Sequence, residues 1–200
     1  MFNIANGTDS VSRVIASRTI LSDIEDCKAL KYDNCIIEGR LDIENAEINQ
    51  DLHFNDTKFL GPVNFASNKI NRNVFFIGSQ FQDSAKFDGT QFNGFSVYWN
   101  STFSGDTSFN QAEFNNIASF FDANFEEDVS FTKAKFNKDV WFWSAKFEKT
   151  SSFNNVIFAG HANFLLTQFI NYSSFAESHF KGGVVFEDTY FNDVTSFYKA

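Results

Sequence analysis

From Leu30 onward the large apolar residues of the chain return at alternating steps of five and six, so the same pattern comes round at every eleventh position. One series runs Phe54, Phe65, Phe76, Phe87, Tyr98, Phe109, Phe120, Phe131, Phe142, Phe153, Phe164, Phe175, Phe186 and Phe197. The other runs Phe59, Ile70, Phe81, Phe92, Phe103, Phe114, Phe125, Phe136, Phe147, Phe158, Phe169, Phe180 and Phe191. Counted backward, the first series reaches Ile43 and Tyr32 and the second Ile48 and Ile37, so aliphatic residues open a frame that phenylalanine later dominates. A small or β-branched residue stands two positions before most of these sites, as at Ala85, Thr90, Ser101, Thr107, Ala112, Ala118, Ala123, Val129, Ala134, Val140 and Ala145, with Asn68 the main departure. Alternation with a period of two turns both members of each pair inward and the residues between and beyond them outward, which predicts very short strands separated by frequent corners. Gly61, Asp83, Gly94, Gly105, Asn116, Gly160, Asn171, Gly182 and Asp193 recur two positions after the second series, inside the six-residue steps. These residue types tolerate positive φ, and they predict left-handed backbone at that corner.

Before the repeat, residues 1–15 show no periodic pattern; Asn6-Gly7-Thr8 is turn-like and matches a glycosylation acceptor that matters only in a secreted chain. Ala16, Ile20, Leu21 and Ile24 then recur with helical spacing. They predict an amphipathic helix over about residues 17–26, with Ser17 available as N-cap, that covers the first coil of whatever the repeat builds. The chain thus divides into an N-terminal segment, 1–29, and a repeat region, 30–200.

Composition sharpens this picture. Twenty-nine phenylalanines stand against one proline and one methionine in 200 residues, a bias that points to internal repetition rather than an ordinary globular domain. The formal charge of −9 disfavours a nucleic-acid partner, because phosphate binding needs clustered Lys and Arg. No apolar run approaches the roughly 20 residues of a bilayer span and no signal-peptide pattern opens the chain, so the expected location is cytoplasmic. Cys27 and Cys35, without a disulfide framework or a metal-ligand pattern, read as reduced structural thiols.

Units such as Ala85-Lys-Phe87, Ala112-Glu-Phe114, Ala123-Asn-Phe125, Ala134-Lys-Phe136 and Ala145-Lys-Phe147 resemble those of the pentapeptide-repeat family, in which a small residue stands two before a central Leu or Phe. The alternate sixth residue and the near-exclusive use of Phe resemble a Phe-rich subgroup, as does the lead-in from Ile20 to Ile43. The resemblance implies an all-β solenoid: a right-handed quadrilateral β-helix, with two of the five-plus-six repeats to each four-sided coil and a short N-terminal capping α-helix. Residues 22 apart should then stack. Outward positions, which played no part in finding the repeat, agree with that period: Ser108, Ser130, Ser152, Ser174 and Ser196 are each 22 apart, and so are Asn49, Asn71, Asn93, Asn115 and Asn137. Tyr32 to Phe197 then makes about 7.5 coils, a rod about 36 Å long at the usual spacing of paired strands. The repeat is still in register at Tyr198-Lys199-Ala200. An uncapped solenoid exposes strand edges, so the expectation is a fragment of a longer chain or an end that pairs with another molecule.

Folding the sequence at that doubled period sorts the outward positions into four unlike faces. One carries Phe75, Ile77, Val97, Trp99, Phe121, Trp141, Trp143, Leu165 and Val185, with Phe95 and Ile117 at the adjoining corner; the opposite face is mostly Ser, Asn and Thr, and the other two carry Lys, Glu, Gln and Asn. All three tryptophans lie on one side. An apolar patch of several hundred Å² exceeds what monomers usually leave wet. The competing explanation is that the rings only ladder on one another, contributing about 0.2–1 kcal/mol per pair. Membrane contact has no basic rim to support it. His53, His161 and His179 fall on different surfaces or corners, and no phosphate loop, nucleophile elbow or carboxylate pair is evident, so neither catalytic, cofactor-binding nor metal residues are assigned. Glu126-Glu127-Asp128 reads as a solvated corner.

The family's best-known activity is mimicry of duplex DNA by an acidic rod that protects DNA gyrase. Charge argues against it here, since residues 1–53 hold 10 acidic and 5 basic residues and residues 54–200 hold 15 and 11, leaving the rod nearly balanced. The expectation is therefore a non-enzymatic rigid scaffold whose aromatic face serves protein docking or self-association, a dimer included. The alternatives are a topoisomerase inhibitor or protector, or a cytoplasmic module of a larger membrane-associated protein.

Overall fold

A computed structural model describes residues 13–200; the Asn6-Gly7-Thr8 acceptor lies outside the described residues. The inward and outward alternation read from the sequence produces two-residue strands at almost every aromatic position, each too short to be stable alone. They gain stability by stacking. Four parallel sheets run the length of the molecule, and hydrogen-bonded neighbours in each are one full circuit of the chain apart, as Phe81 is from Phe103 and Phe92 from Phe114.

Following the chain, face 1 holds eight strands from Leu30–Lys31 to Val184–Val185, and face 2 nine, from Arg13–Ala16 to Tyr190–Phe191. Face 3 holds eight from Leu41–Asp42 to Thr195–Ser196, and face 4 seven from Glu47–Ile48 to His179–Phe180. One circuit through them is one coil, so face 1 stands opposite face 3. The protein is a four-sided β-solenoid of about eight coils.

Inside, rings stack on rings. Tyr98 and Phe120 lie parallel with centroids 4.8 Å apart, as do Phe109 and Phe131 at 4.9 Å. Rings on opposite walls meet edge-on instead, as Phe120 does with Phe131 at 5.4 Å and 84°. The two geometries together fill the interior in the arrangements that ring quadrupoles favour. The aliphatic opening of the frame packs in the same columns: Tyr32, Ile37, Ile43 and Ile48 are buried. The small partners are buried too, because a second large side chain at Ala112 or Ala134 would overfill the space beside Phe114 or Phe136.

Several of these small residues are polar for a specific reason. Thr90 Oγ1 donates to the carbonyl of Phe65 at 2.6 Å, Thr167 to Phe142 at 2.8 Å and Thr189 to Phe164 at 2.7 Å, each reaching back just over one coil. Asn68, the departure in the pattern, does the same and more: Nδ2 donates to the Ile43 carbonyl at 2.5 Å while Oδ1 accepts from the Ala46 N–H at 2.8 Å. A buried amide is tolerated because both ends are bonded.

The corners correct one expectation. Left-handed backbone occurs two positions after the first series, at Asn34, Asn45, Asp56, Ser67, Gly78, Gly89, Asn100, Gln111, Asp122 and on to Lys199, and not at Gly61, Gly94, Gly105, Gly160 or Gly182. The five-residue step has less chain with which to turn. It closes as a β-turn in which the Ala112 N–H donates to the Phe109 carbonyl at 3.1 Å with Gln111 at φ +58°, and positive φ at the third turn residue is the mark of type II. In the six-residue step small residues answer a different demand. A Cβ on Gly94 would stand 2.5 Å from the Arg72 carbonyl carbon, and one on Gly182 would stand 2.3 Å from that of Gly160, so coil meets coil backbone to backbone there. Asp83, Asn116, Asn171 and Asp193 keep φ negative and accept a hydrogen bond from the next N–H, as Asn116 Oδ1 does from Ile117 at 2.9 Å.

At the N-terminus a strand appears where the sequence shows no pattern. β1, Arg13–Ala16, pairs in parallel with Cys35–Glu38 and starts face 2 one coil early. It runs directly into α1, Ser17–Glu25, so Ala16 occupies the cap position without a side-chain bond and Ser17 is already helical rather than the N-cap. α1 lies across the base of the solenoid with Ile20 buried and Leu21 and Ile24 against the core. The Asp23 carboxylate ties it down, accepting from the Tyr32 hydroxyl and, at 3.1 Å, from Lys28 Nζ.

Candidate functional site

Alternation along a strand sends two outward residues from each coil to face 1, one on either side of the inward ring. Stacked coils turn these into two columns. The first holds Phe75, Val97, Ser119, Trp141, Asn163 and Val185, paired in register from each strand to the next. The second, in the turn that follows, holds Ile77, Trp99, Phe121, Trp143 and Leu165. All nine residues expected at the face are therefore on it, but they are not equivalent.

Its centre is aromatic. Trp99, Phe121, Trp141 and Trp143 together line a shallow concavity of about 240 Å³. Phe121 meets Trp143 at 5.2 Å and 72° and Trp99 at 6.4 Å and 77°, so the walls stand nearly at right angles. The indoles are 42% (Trp99), 39% (Trp141) and 43% (Trp143) exposed. Phe75, Ile77 and Val97 on one side and Leu165 on the other are half-buried, while Val185 is exposed at the far end. Phe95 is exposed and Ile117 half-buried at the adjoining corner, so the apolar surface does widen there.

Polar residues break the first column where the second is bulkiest. Ser119 is buried and its Oγ accepts from Trp99 Nε1 at 2.6 Å, which holds that indole across one coil. Asn163 turns inward to its own corner, with Oδ1 accepting from the Leu165 N–H at 2.8 Å.

Two residues belong to this face that sequence reasoning missed. His53 stacks on Phe75 with centroids 4.9 Å apart and rings 25° from parallel, extending the aromatic column one coil; its position one period before Phe75 was the available signal. Leu166 is 44% exposed and sits at φ +57°, next to Leu165. A leucine in left-handed backbone is disfavoured by about 1 kcal/mol or more, and neighbouring coils place Ser144 and Asp188 at this position.

The remaining faces are satisfied internally. On face 4, Asn71 donates to Asn49, Asn93 to Asn71, Asn115 to Asn93 and Asn137 to Asn115, all at 2.7–2.8 Å, a continuous amide ladder. Beside it, Lys69 pairs with Glu47 at 2.9 Å and Lys135 with Glu113 at 3.9 Å. On face 3, Ser130 Oγ bonds Asn110 Oδ1 at 2.5 Å and Thr132 Oγ1 at 2.9 Å, and Thr132 bonds Ser152 at 2.9 Å. Among the described residues no group of three or more His, Cys, Asp or Glu is placed to hold a metal ion, and no helix is long and apolar enough to cross a membrane.

Parallel four-sided coils, a stacked aromatic interior and one aromatic outer face define the class of the molecule: a β-solenoid repeat scaffold. Residues 98–190 carry the repeats of the pentapeptide-repeat family: the family model described as pentapeptide repeats (9 copies) matches residues 98–146 and again 142–190. Comparison with curated proteins and with solved structures finds no match.

Proposed function

We propose that the protein is a non-enzymatic rigid scaffold that docks a protein surface, a second copy of itself in the first instance, through face 1. The observation that carries this reading is the gathering of all three indoles, each about two-fifths exposed, around one concavity. Surface tryptophan is costly in water, and aromatic centres with a polar rim are the usual anatomy of contact surfaces. Leu166 adds to it, since it is an exposed leucine at a left-handed corner where the other coils carry a polar residue or glycine. Face 4 supports it from the other direction: Glu47 and Glu113 are paired with lysines one coil away, which does not give that face the negative stripe a DNA mimic presents.

Light scattering across a concentration series tests the proposal. The wild type should show a mass above that of the monomer, and Trp141→Ser/Trp143→Ser should return it to the monomer. A wild type that stays monomeric throughout removes self-association as the use of this face.

A further inference from the structure

The concavity on face 1 has walls of one kind. Trp99, Phe121, Trp141 and Trp143 line it, with no aliphatic side chain and no Lys or Arg among them. A pocket for a leucine or isoleucine side chain has no need of π-faces, and aliphatic walls would serve as well. Flat ligands such as sugars or nucleobases stack on open platforms, whereas rings meeting at 72° and 77° make a corner. A corner of aromatic walls suits a compact, roughly tetrahedral group, and the electron-rich faces of tryptophan attract positive charge more strongly than those of other side chains.

Charge points the same way. Asp122 follows Phe121 directly, is exposed, and donates its backbone N–H to the Trp143 carbonyl at 2.9 Å, so its main chain runs beside the aromatic walls. Asp139 lies two residues before Trp141 in the same coil. The whole chain carries −9. We propose that this aromatic corner binds a soluble quaternary ammonium ion of the choline class, its trimethylammonium head seated among the four rings. The inference rests on face 1 being the contact surface and names the chemistry at its centre; ligand and docking partner share Trp141 and Trp143 and so exclude one another.

The test is a titration of the full chain, at concentrations where light scattering shows monomer, followed by tryptophan fluorescence. Choline chloride is compared with sodium chloride at equal ionic strength and with 3,3-dimethylbutan-1-ol, the uncharged carbon isostere. The expected result is saturable quenching by choline, with the isostere at least ten-fold weaker. Trp143→Leu should weaken choline about ten-fold, Asp122→Asn should weaken it several-fold, and Tyr98→Phe should leave it unchanged. A thermal melt establishes that each variant is folded. Equal or tighter binding of the isostere overturns the proposal in favour of an aliphatic occupant. Absence of saturable quenching by choline overturns it, as does an unchanged affinity in folded Trp143→Leu. Co-sedimentation with phosphatidylcholine vesicles in the absence of any response to free choline likewise overturns it and assigns the corner to lipid. Because the titration uses monomer, its failure and the failure of self-association are read separately.

Discussion

Phe121 and Trp143 lie one coil apart and outside the core, yet their rings meet edge-on at 5.2 Å on the outer wall of the solenoid. Phe142, the immediate neighbour of Trp143, points the other way and is fully buried between Phe120 and Phe164. Adjacent aromatic residues therefore have opposite energetic roles. Trp143→Ala should cost the less of the two, about 1–3 kcal/mol, because two-fifths of its surface is already in water and no enclosed cavity is left behind. Phe142→Ala should cost about 3–5 kcal/mol through lost burial and the cavity left behind. Urea denaturation of the two variants separates them, and similar losses would mean that face 1 is part of the structural core.

Tyr98 occupies a phenylalanine position in the first series, fully buried, and its hydroxyl has no hydrogen-bond partner. Burial alone pushes its ionisation well above the ordinary tyrosine value. Removing an unsatisfied buried hydroxyl while keeping the ring should stabilise the fold, so Tyr98→Phe is expected to gain about 1–2 kcal/mol. A melting temperature equal to or lower than wild type would contradict it.

The amide ladder of face 4 makes a positional prediction. Asn93 donates to Asn71 and accepts from Asn115, both at 2.8 Å, whereas Asn137 is the last rung, donating to Asn115 at 2.7 Å and more weakly to Glu113 at 3.3 Å. Asn93→Ala should cost about 1–2 kcal/mol and Asn137→Ala less, because the first interrupts the ladder on both sides whereas the second removes its exposed end rung. Chemical denaturation of the pair measures the difference.

Leu166 holds φ at +57° with its side chain exposed. Leu166→Gly relieves that conformation and should stabilise the monomer by about 0.5–1 kcal/mol. If Leu166 belongs to the docking surface, the same change should weaken self-association. A variant that is both more stable and less associated would show stability given up for contact.

At the base, hydrogen bonds from Tyr32 and Lys28 hold the Asp23 carboxyl below its ordinary value of 3.8. A depressed carboxylate stabilises the folded state above its unfolded value and loses that contribution as the pH falls through the lower, folded one. The Tyr32 hydroxyl, raised by burial and by Asp23, stays protonated through this range. Hydrogen exchange of α1 amides should therefore accelerate below about pH 4, ahead of the coil amides, and Asp23→Asn should flatten that dependence.

Much of this architecture was legible because a solenoid writes its geometry into the chain. Each coil repeats one spatial unit, so spacing in sequence becomes stacking in space: the evenly spaced asparagines became bonded rungs, and Trp99, Phe121 and Trp143 became one column. β1 was not legible, because four residues of one strand have no period of their own and acquire their partner only when Cys35–Glu38 is laid beside them. The left-handed corner was misplaced for a related reason. Glycine and asparagine report that something small is needed but not whether φ or a neighbouring backbone demands it, and at Gly94 the demand comes from Arg72, one coil earlier.

The sequence by itself determined the inward columns and, through the outward serines and asparagines spaced 22 apart, the period and which residues share a face, because outward residues keep such spacing only where coils stack. Tertiary structure alone decided how those residues meet. The right-angled rings around the face 1 concavity, the bond from Trp99 to Ser119 and the inward turn of Asn163 depend on contacts between coils and on side-chain torsions. A one-dimensional pattern carries no term for these, since side-chain geometry is set by packing against neighbours that are adjacent only after the chain has closed its circuit.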